Sequence, residues 1–146
     1  MEHQIEMLLV EDNLDDVELT LHALESHFVT NLIKVVRDGA EALEFLFAEG
    51  AYAHRRVNDT PKLVLLDLKL PKIDGLEVLR RIKTDSRTQA IPVVMITSSR
   101  EERDIIESYQ LGVNSYIVKP VDFEQFTEAV KQIGLYWLLL NQPPVR

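Results

Sequence analysis

The chain has 146 residues, of which 46% are hydrophobic and 27% are charged, so its length and composition fit one globular domain and leave no room for a second full one. Its formal net charge of −8 repels phosphate backbones, and we therefore expect no binding to nucleic acid. It has no cysteine, no signal-peptide pattern and no apolar run near the roughly 20 residues of a membrane span, so we expect a cytoplasmic protein without membrane contact.

Five short runs of residues predict β-strands. In chain order they lie at 7–10, 32–36, 63–68, 93–96 and 115–118. The first, third and fourth runs are rich in Val, Leu and Ile, which is typical of strands buried on both faces of a sheet. The second and fifth are weaker strand patterns.

A helical pattern follows each predicted strand, with apolar residues three or four positions apart. We expect Asp38, Asp74 and Asp122 to cap the second, third and fifth helices, Asp15 and Asp16 to cap the first, and Gly112 to end the fourth. The apolar positions are, in chain order, Val17, Leu21, Leu24, Phe28; Leu43, Leu46, Phe47; Leu76, Leu79, Ile82; Ile105, Ile106, Tyr109; and Phe123, Phe126, Val130, Ile133, Trp137.

Strict alternation of strand and helix leaves no place for hairpins, and it predicts an α/β domain with a doubly wound, five-stranded parallel sheet. The 48–61 segment is longer than the usual connection of two to six residues and predicts an exposed surface loop. The chain from 134 to 146 predicts an extension of the last helix, followed by a frayed tail at Pro143 and Pro144.

Polar residues follow the predicted strands at the edge of the sheet where ligands bind in this architecture. Glu11 and Asp12 follow the first strand, and Asp67 lies in the third run. Thr97 and Lys119 follow the fourth and fifth runs. Three carboxylates at one edge repel each other unless a cation lies among them, and oxygen ligands of this kind suit Mg²⁺. The hydroxyl and the ammonium suit the oxygens of a phosphoryl group.

Four motifs resemble the receiver domain of two-component response regulators: LLVEDN at 8–13, VLLDLKLPKIDG at 64–75, ITS at 96–98 and YIVKP at 116–120. The resemblance extends over nearly the whole chain and implies one receiver domain at 1–146, with the flavodoxin-like strand order 2-1-3-4-5. The 48–61 loop would then be an insertion. Within the family, the chain looks most like the single-domain regulators that are partnered with cyanobacterial phytochrome kinases.

The resemblance also implies a role for each residue of the predicted site. Asp67 would take a phosphoryl group from a phosphohistidine of a sensor histidine kinase. Asp12, Asp67 and the backbone carbonyl of Lys69 would bind Mg²⁺ directly, and Glu11 would act through a water. Lys119 would pair with the attached phosphate, whereas Thr97 and Tyr116 would form a switch. The protein would be no enzyme beyond its own phosphorylation and dephosphorylation. Its Lys119–Pro120 bond could be cis, as in the family.

Three alternatives remain open at this point. A Mg²⁺-dependent phosphohydrolase of the haloacid dehalogenase type also uses an aspartate nucleophile, but it needs a second aspartate where this chain has Lys69. A phosphorylation-independent binding module with the receiver fold is the second alternative. A flavodoxin-like cofactor protein is the third, although Glu11 and Asp12 stand where its phosphate-binding loop would be.

The end of the fifth helix is apolar on every side. Its apolar stripe from Phe123 to Trp137 is expected to pack on the domain's own sheet. Beyond it, the apolar residues are Leu135, Tyr136, Leu138, Leu139 and Leu140. Because such a patch usually marks a contact with another chain, the sequence predicts a twofold homodimer through this segment. The alternative is that the segment folds back over its own core or frays.

Overall fold

The computed structural model describes residues 5–25 and 32–144, which form a doubly wound α/β domain. Its five strands pair in parallel in the order β2-β1-β3-β4-β5, which confirms the predicted fold and strand order. The strands are β1 (Met7–Val10), β2 (Ile33–Val36), β3 (Leu63–Leu66), β4 (Val93–Thr97) and β5 (Ser115–Val118).

The helices are α1 (Leu14–Glu25), α2 (Gly39–Phe47), α3 (Gly75–Thr84), α4 (Glu102–Gln110) and α5 (Phe123–Gly134). Asp38, Asp74 and Asp122 each accept a hydrogen bond from the backbone N–H three residues later, which confirms these three caps. Gly112 follows the last residues of α4 with a φ of 99°, as predicted. None of the described helices is long and apolar enough to cross a membrane.

Alternate residues of each buried strand face opposite sides of the sheet and form two separate cores. Leu8 and Val10 face α2 and α3, whereas Met7 and Leu9 face α1 and α5. The same alternation divides β3 and β4 between the two cores, so these strands need apolar residues at every position. This requirement explains the continuous apolar runs in the sequence.

Three expectations about helix packing are wrong. Asp15 and Asp16 do lie in the first turn of α1, where their charge favours the helix dipole, but the cap is Asn13, whose side chain accepts a hydrogen bond from the Asp16 N–H. Ile106 and Tyr109 on α4 are exposed, as is Phe123 at the start of α5. The neighbouring strand β5 is only half-buried, so this edge of the sheet offers less apolar surface to cover. The predicted position Phe28 lies outside the described residues.

The long 48–61 segment is attached to α2 by its aromatic and cationic side chains. After Ala48, which has a φ of 56°, a 3-10 turn covers Gly50–Tyr52. The Tyr52 ring meets the Phe45 ring edge-on, and its hydroxyl donates to Glu41. The Arg55 guanidinium lies 3.7 Å from the centroid of the Phe45 ring. These contacts hold the segment against the helix.

Beyond α5 the chain continues as a π-helix, Leu135–Leu140, and the Asn141 N–H donates to the Tyr136 carbonyl at 2.6 Å. Within it, Leu138 packs in the core shared by α1 and α5. In the described part of the tail, Pro143 and Pro144 line a small cavity of about 30 Å³ with 60–62 and 90–92, close to the amino-terminal ends of β3 and β4.

Gly75 is the position where the start of α3 comes closest to the end of β3. Its N–H donates to the Leu68 carbonyl at 2.7 Å. A Cβ at this position would lie 2.2 Å from the Asp67 carbonyl oxygen and 2.8 Å from the Leu68 Cα. Both neighbours are backbone atoms, so they cannot move aside without displacing the segment that carries Asp67.

We therefore expect Gly75→Ala to lower the free energy of unfolding by about 1 to 3 kcal/mol, the usual cost of an overpacked site. Urea denaturation of the variant and the parent measures this difference. An unfolding free energy within about 0.5 kcal/mol of the parent, the spread of neutral surface changes, would contradict the close approach.

Candidate functional site

The candidate site lies at the carboxyl-terminal edge of the sheet, where the hydrogen bonding of the strands continues by one residue. The Glu11 N–H donates to Val36 and the Asp67 N–H donates to Val10, both at 3.1 Å. The Lys119 N–H donates to the Thr97 carbonyl at 2.7 Å. These backbone bonds fix the side chains of residues that are far apart in sequence at one edge, as the sequence predicted.

Glu11, Asp12 and Asp67 form an acidic cluster at this edge. One carboxylate oxygen from each lies within 4.8 Å of those from the other two, and Glu11 and Asp67 are buried. Hard oxygen ligands in this number suit a divalent cation that keeps part of its water shell. Lys69 is exposed beside the cluster.

The Lys119 ammonium lies among carboxylates and its side chain is only 10% exposed. Its Nζ donates to Glu11 at 2.6 Å, to Asp16 at 2.8 Å and to Asp67 at 3.3 Å. Burial by itself lowers the pKa of Lys119, but the hydrogen bonds to Asp16 and Glu11 and the charge of Asp67 outweigh it and raise that pKa. The lysine is therefore a fixed positive charge beside Asp67.

The buried carboxyl group of Glu11 is less acidic than that of an ordinary glutamic acid. Burial raises its pKa to about 7, the hydrogen bond from Lys119 opposes the rise, and the charge of Asp67 adds to it. Near neutral pH Glu11 is therefore divided between its neutral and ionised forms in the protein without metal. A bound cation would favour the ionised form.

Thr97 and Tyr116 meet at the loop after β4. The buried Thr97 hydroxyl oxygen accepts a hydrogen bond from the Ser99 N–H at 3.4 Å. The Tyr116 hydroxyl donates to the Ser99 carbonyl at 3.0 Å, and the Ser99 hydroxyl donates to Asp104 at 2.6 Å. Ser99 thus connects both predicted switch residues to α4.

The Lys119–Pro120 bond is trans, unlike the cis form considered above, and no cis peptide bond occurs in the part of the chain that the structure describes.

An open groove of about 510 Å³ adjoins the acidic cluster. It runs between the segment after β3 and the start of α4, so it connects the cluster with solvent. Its walls include Asp12, Lys69, Pro71, Leu76, Arg103 and Asp104. A phosphoryl donor reaching the cluster from this side would pass Lys69.

Sequence reasoning named the acidic cluster and Lys119 but missed the carboxylate of Asp16, which contacts the lysine. Asp16 was interpreted as a helix cap, and its bond to Lys119 spans 103 residues of sequence. No helical spacing pointed to this contact, because Asp12 lies before the first residue of α1 and Asp16 lies within it. The hydrogen bonds of Ser99 with Thr97, Tyr116 and Asp104 were also not predicted, because they depend on the path of the loop.

Comparison with known protein families identifies the family to which the chain belongs. Residues 7–131 match the response regulator receiver domain family, a range that contains all five strands and the whole acidic cluster. The chain belongs to this family. It is a receiver-domain response regulator, and none of the alternative functions weighed above gains support over this one.

Two curated relatives cover most of the receiver domain. The probable methanogenesis regulatory protein FilR2 of Methanothrix harundinacea is 43% identical over 139 residues, which are 94% of this chain and 86% of the relative. The response regulator Rcp1 of Synechocystis is 39% identical over 132 residues, covering 90% of this chain and 88% of the relative.

Solved structures of two related response regulators share this fold, and one of them is a metal-bound form. The phosphorylated cyanobacterial phytochrome response regulator RcpA is 43% identical, and the match covers 98% of this chain and all of that one with a TM-score of 0.90. The Mn²⁺-bound form of Rcp1 is 38% identical, covers 95% of this chain and 98% of that one, and has a TM-score of 0.85. The receiver domain of this chain likewise carries a site suited to a divalent cation.

Removing one charge from the cluster should stabilise the protein without metal. We expect Asp67→Asn to raise the melting temperature in excess chelator by about 2 to 4 °C at about pH 8, because it relieves repulsion with Glu11 and Asp12. Glu11, with a pKa of about 7, is protonated at lower pH, so the gain should shrink towards about pH 5.

Thermal unfolding followed by circular dichroism measures both effects. In the parent, the folded protein holds the Glu11 proton more tightly than the unfolded chain does, so its stability should fall as the pH rises through about 7. Asp74→Asn is the matched control, because it makes the same change at a helix cap, where asparagine accepts the same hydrogen bond, and it should change stability little at either pH. A gain for Asp67→Asn that is equal at both pH values would contradict the assigned repulsion.

Proposed function

We propose that Asp67 accepts a phosphoryl group from the phosphohistidine of a sensor histidine kinase, in a reaction that needs Mg²⁺. The observation that carries this proposal is the position of the Asp67 carboxylate. It is buried, belongs to the acidic cluster and also accepts a hydrogen bond from Lys119 at 3.3 Å. No other described carboxylate of the cluster lies at the end of the central strand β3.

The transfer forms one bond and breaks another. An oxygen of Asp67 attacks phosphorus, the bond between phosphorus and the imidazole nitrogen breaks, and the released imidazole takes a proton from water. Lys119 stands beside Asp67 and pairs with the charge of the phosphoryl oxygens. The protein contributes little other covalent chemistry to phosphoryl transfer, so positioning of the reacting groups and stabilisation of charge supply most of the catalysis.

The residues of the cluster fit Mg²⁺. Asp12, Asp67 and the backbone carbonyl of Lys69 would bind it directly, and Glu11 would act through a water. When bound, the cation would neutralise charge on the transferring oxygens. The oxygen-only side chains of the cluster and the Mn²⁺-bound form of the related Rcp1 support a hard divalent ion.

Thr97 and Tyr116 would change conformation on phosphorylation and thereby alter the protein surface near α4. Thr97 would turn towards the phosphoryl group and give up its hydrogen bond with the Ser99 N–H, which would release the loop that Tyr116 holds by its hydroxyl. A hydroxyl coupled in this way to an aromatic side chain is a two-state element that phosphorylation can bias.

A phytochrome-type histidine kinase is the proposed donor, in the cytoplasm, where the ATP for its phosphorylation is available. The support is the likeness to RcpA, which is a phytochrome response regulator. We propose that the chain acts on no substrate besides its own aspartyl phosphate and is in this sense not an enzyme.

Incubation with acetyl phosphate and Mg²⁺, followed by mass spectrometry, tests the acceptor. One phosphoryl group should appear on the parent and on Asp74→Asn, whereas Asp67→Asn should carry none, because the amide nitrogen is no nucleophile in this reaction. Phosphate retained on Asp67→Asn would disprove the assignment.

The same reaction should become negligible in excess EDTA, since Asp12 and Asp67 would then face the incoming phosphate with uncompensated charge. In a parallel measurement, Mg²⁺ should raise the melting temperature of the parent, because it binds the folded state. Equal rates of phosphorylation with and without chelator would count decisively against the metal site.

We also propose that the chain forms a twofold homodimer through the π-helix. Leu139 is 60% exposed and Leu140 is 75% exposed, and Tyr136 is also exposed beside them. Apolar side chains grouped in this way on one surface favour contact with another chain. A closed twofold arrangement would let each copy cover the patch of the other.

Leu139→Asp together with Leu140→Asp should lower the mass measured by light scattering from that of a dimer to that of a monomer. Leu138 is unsuitable for this test because it is buried in the core and its replacement would unfold the domain. Leu14→Asp is the matched control, since Leu14 is also exposed but lies in α1. A parent that stays monomeric at high micromolar concentration, with and without phosphorylation, would refute the dimer.

A further inference from the structure

Asp16 makes a contact that no capping role explains. It lies in the first turn of α1, where Asn13 already supplies the cap by accepting from the Asp16 N–H. The Asp16 carboxylate points instead to Lys119, with Oδ2 at 2.8 Å from Nζ, and its side chain is mostly buried. An aspartate from α1 thus contacts the lysine that follows β5.

The Lys119 Nζ lies closer to the carboxylates of Glu11 and Asp16 than to that of Asp67. An ammonium has three N–H groups, and Lys119 uses them on three carboxylates. The two short contacts are with Glu11 at 2.6 Å and Asp16 at 2.8 Å, whereas the contact with Asp67 is 3.3 Å. The lysine is therefore held mainly by two carboxylates and only loosely by Asp67.

We infer that Asp16 is a positioning residue for phosphoryl transfer, which holds the Lys119 ammonium slightly away from Asp67 while one N–H remains directed at that carboxylate. This inference rests on the proposed function. Asp16 itself neither attacks phosphorus nor exchanges a proton, and it acts only through Lys119. Its partner Glu11 holds the same ammonium from the β1 side.

A tight ion pair between Lys119 and Asp67 would slow the transfer, because the attacking electron pair of Asp67 would be engaged with the ammonium. A carboxylate that forms a tight ion pair with an ammonium is a weaker nucleophile, and the ammonium also occupies the space that phosphorus must enter. Without Asp16, the ammonium has two carboxylates left, and attraction would bring it closer to Asp67. With Asp16, the charge remains near the future phosphoryl oxygens while the attacking oxygen stays accessible.

Asp15 supplies a matched control for this idea. Asp15 and Asp16 are neighbours in the first turn of α1, so replacing either with alanine removes one negative charge and the same favourable interaction with the helix dipole. Asp15 is exposed and is not among the three carboxylates that contact Lys119. Asp16→Glu keeps the charge on a longer side chain and serves as the rescue variant.

The first experiment measures phosphorylation by acetyl phosphate at saturating Mg²⁺ as a function of donor concentration. Asp16→Ala should lower the maximal rate about tenfold, the usual effect of losing one charge-assisted hydrogen bond, with little change in the half-saturating donor concentration. Asp15→Ala should stay within about twofold of the parent and Asp16→Glu should recover part of the rate.

The second experiment observes the Lys119 ammonium directly by ¹⁵N NMR of the full chain without metal, with the signal assigned by its loss in Lys119→Arg. Parent and Asp15→Ala should show the same signal, protected from exchange by the three carboxylates. In Asp16→Ala the signal should shift or broaden because one partner is gone.

The outcomes separate this inference from the proposed function. If the parent takes no phosphate, the proposed function fails. If the parent is phosphorylated but Asp16→Ala matches Asp15→Ala in rate or in the ammonium signal, the role of Asp16 is disproved and the proposed function stands. A faster Asp16→Ala would show that Asp16 slows the transfer, which also overturns the inference. Circular dichroism spectra recorded at the assay temperature confirm that both alanine variants are folded, so that unfolding does not cause the difference.

Discussion

Negative charge collected at one edge of a parallel sheet is the constraint on which this site depends. Glu11, Asp12 and Asp67 bring their oxygens within 4.8 Å of one another, and burial together with the charge of Asp67 raises the pKa of Glu11. The Lys119 ammonium compensates this charge in part, through contacts with Glu11, Asp16 and Asp67. The remaining negative charge is what makes the edge suitable for a divalent cation and, with the cation, for a phosphoryl group.

The sheet provides the rigidity that this arrangement needs. Its central strands are buried on both faces by two cores, so their carboxyl ends cannot shift independently. Backbone hydrogen bonds beyond the strand ends continue the register to Glu11, Asp67 and Lys119. The close approach of Gly75 to the Asp67 carbonyl joins α3 to the same place. The repulsive cluster is therefore held by interactions that are independent of it.

The surface around α4 differs in character from this rigid centre. The helix buries only Ser108 among its residues, and Ile106 and Tyr109 remain exposed. Ser99 connects its first turn to Thr97 and Tyr116 through hydrogen bonds rather than through apolar packing. An element attached in this way changes position at small cost in free energy, which suits the reporting of a modification at Asp67.

The sequence by itself determined the architecture, because buried parallel strands need continuous apolar runs and helix starts need capping side chains such as Asp38, Asp74 and Asp122. It also located Glu11, Asp12, Asp67, Thr97 and Lys119, since residues after parallel strands must share one edge. Only the tertiary structure decided that Asp16 binds Lys119, that Ser99 joins Thr97 to Tyr116, and that α4 stays exposed. These features depend on how helices and loops pack against the sheet, and local periodicity does not contain the distances between side chains that are a hundred residues apart.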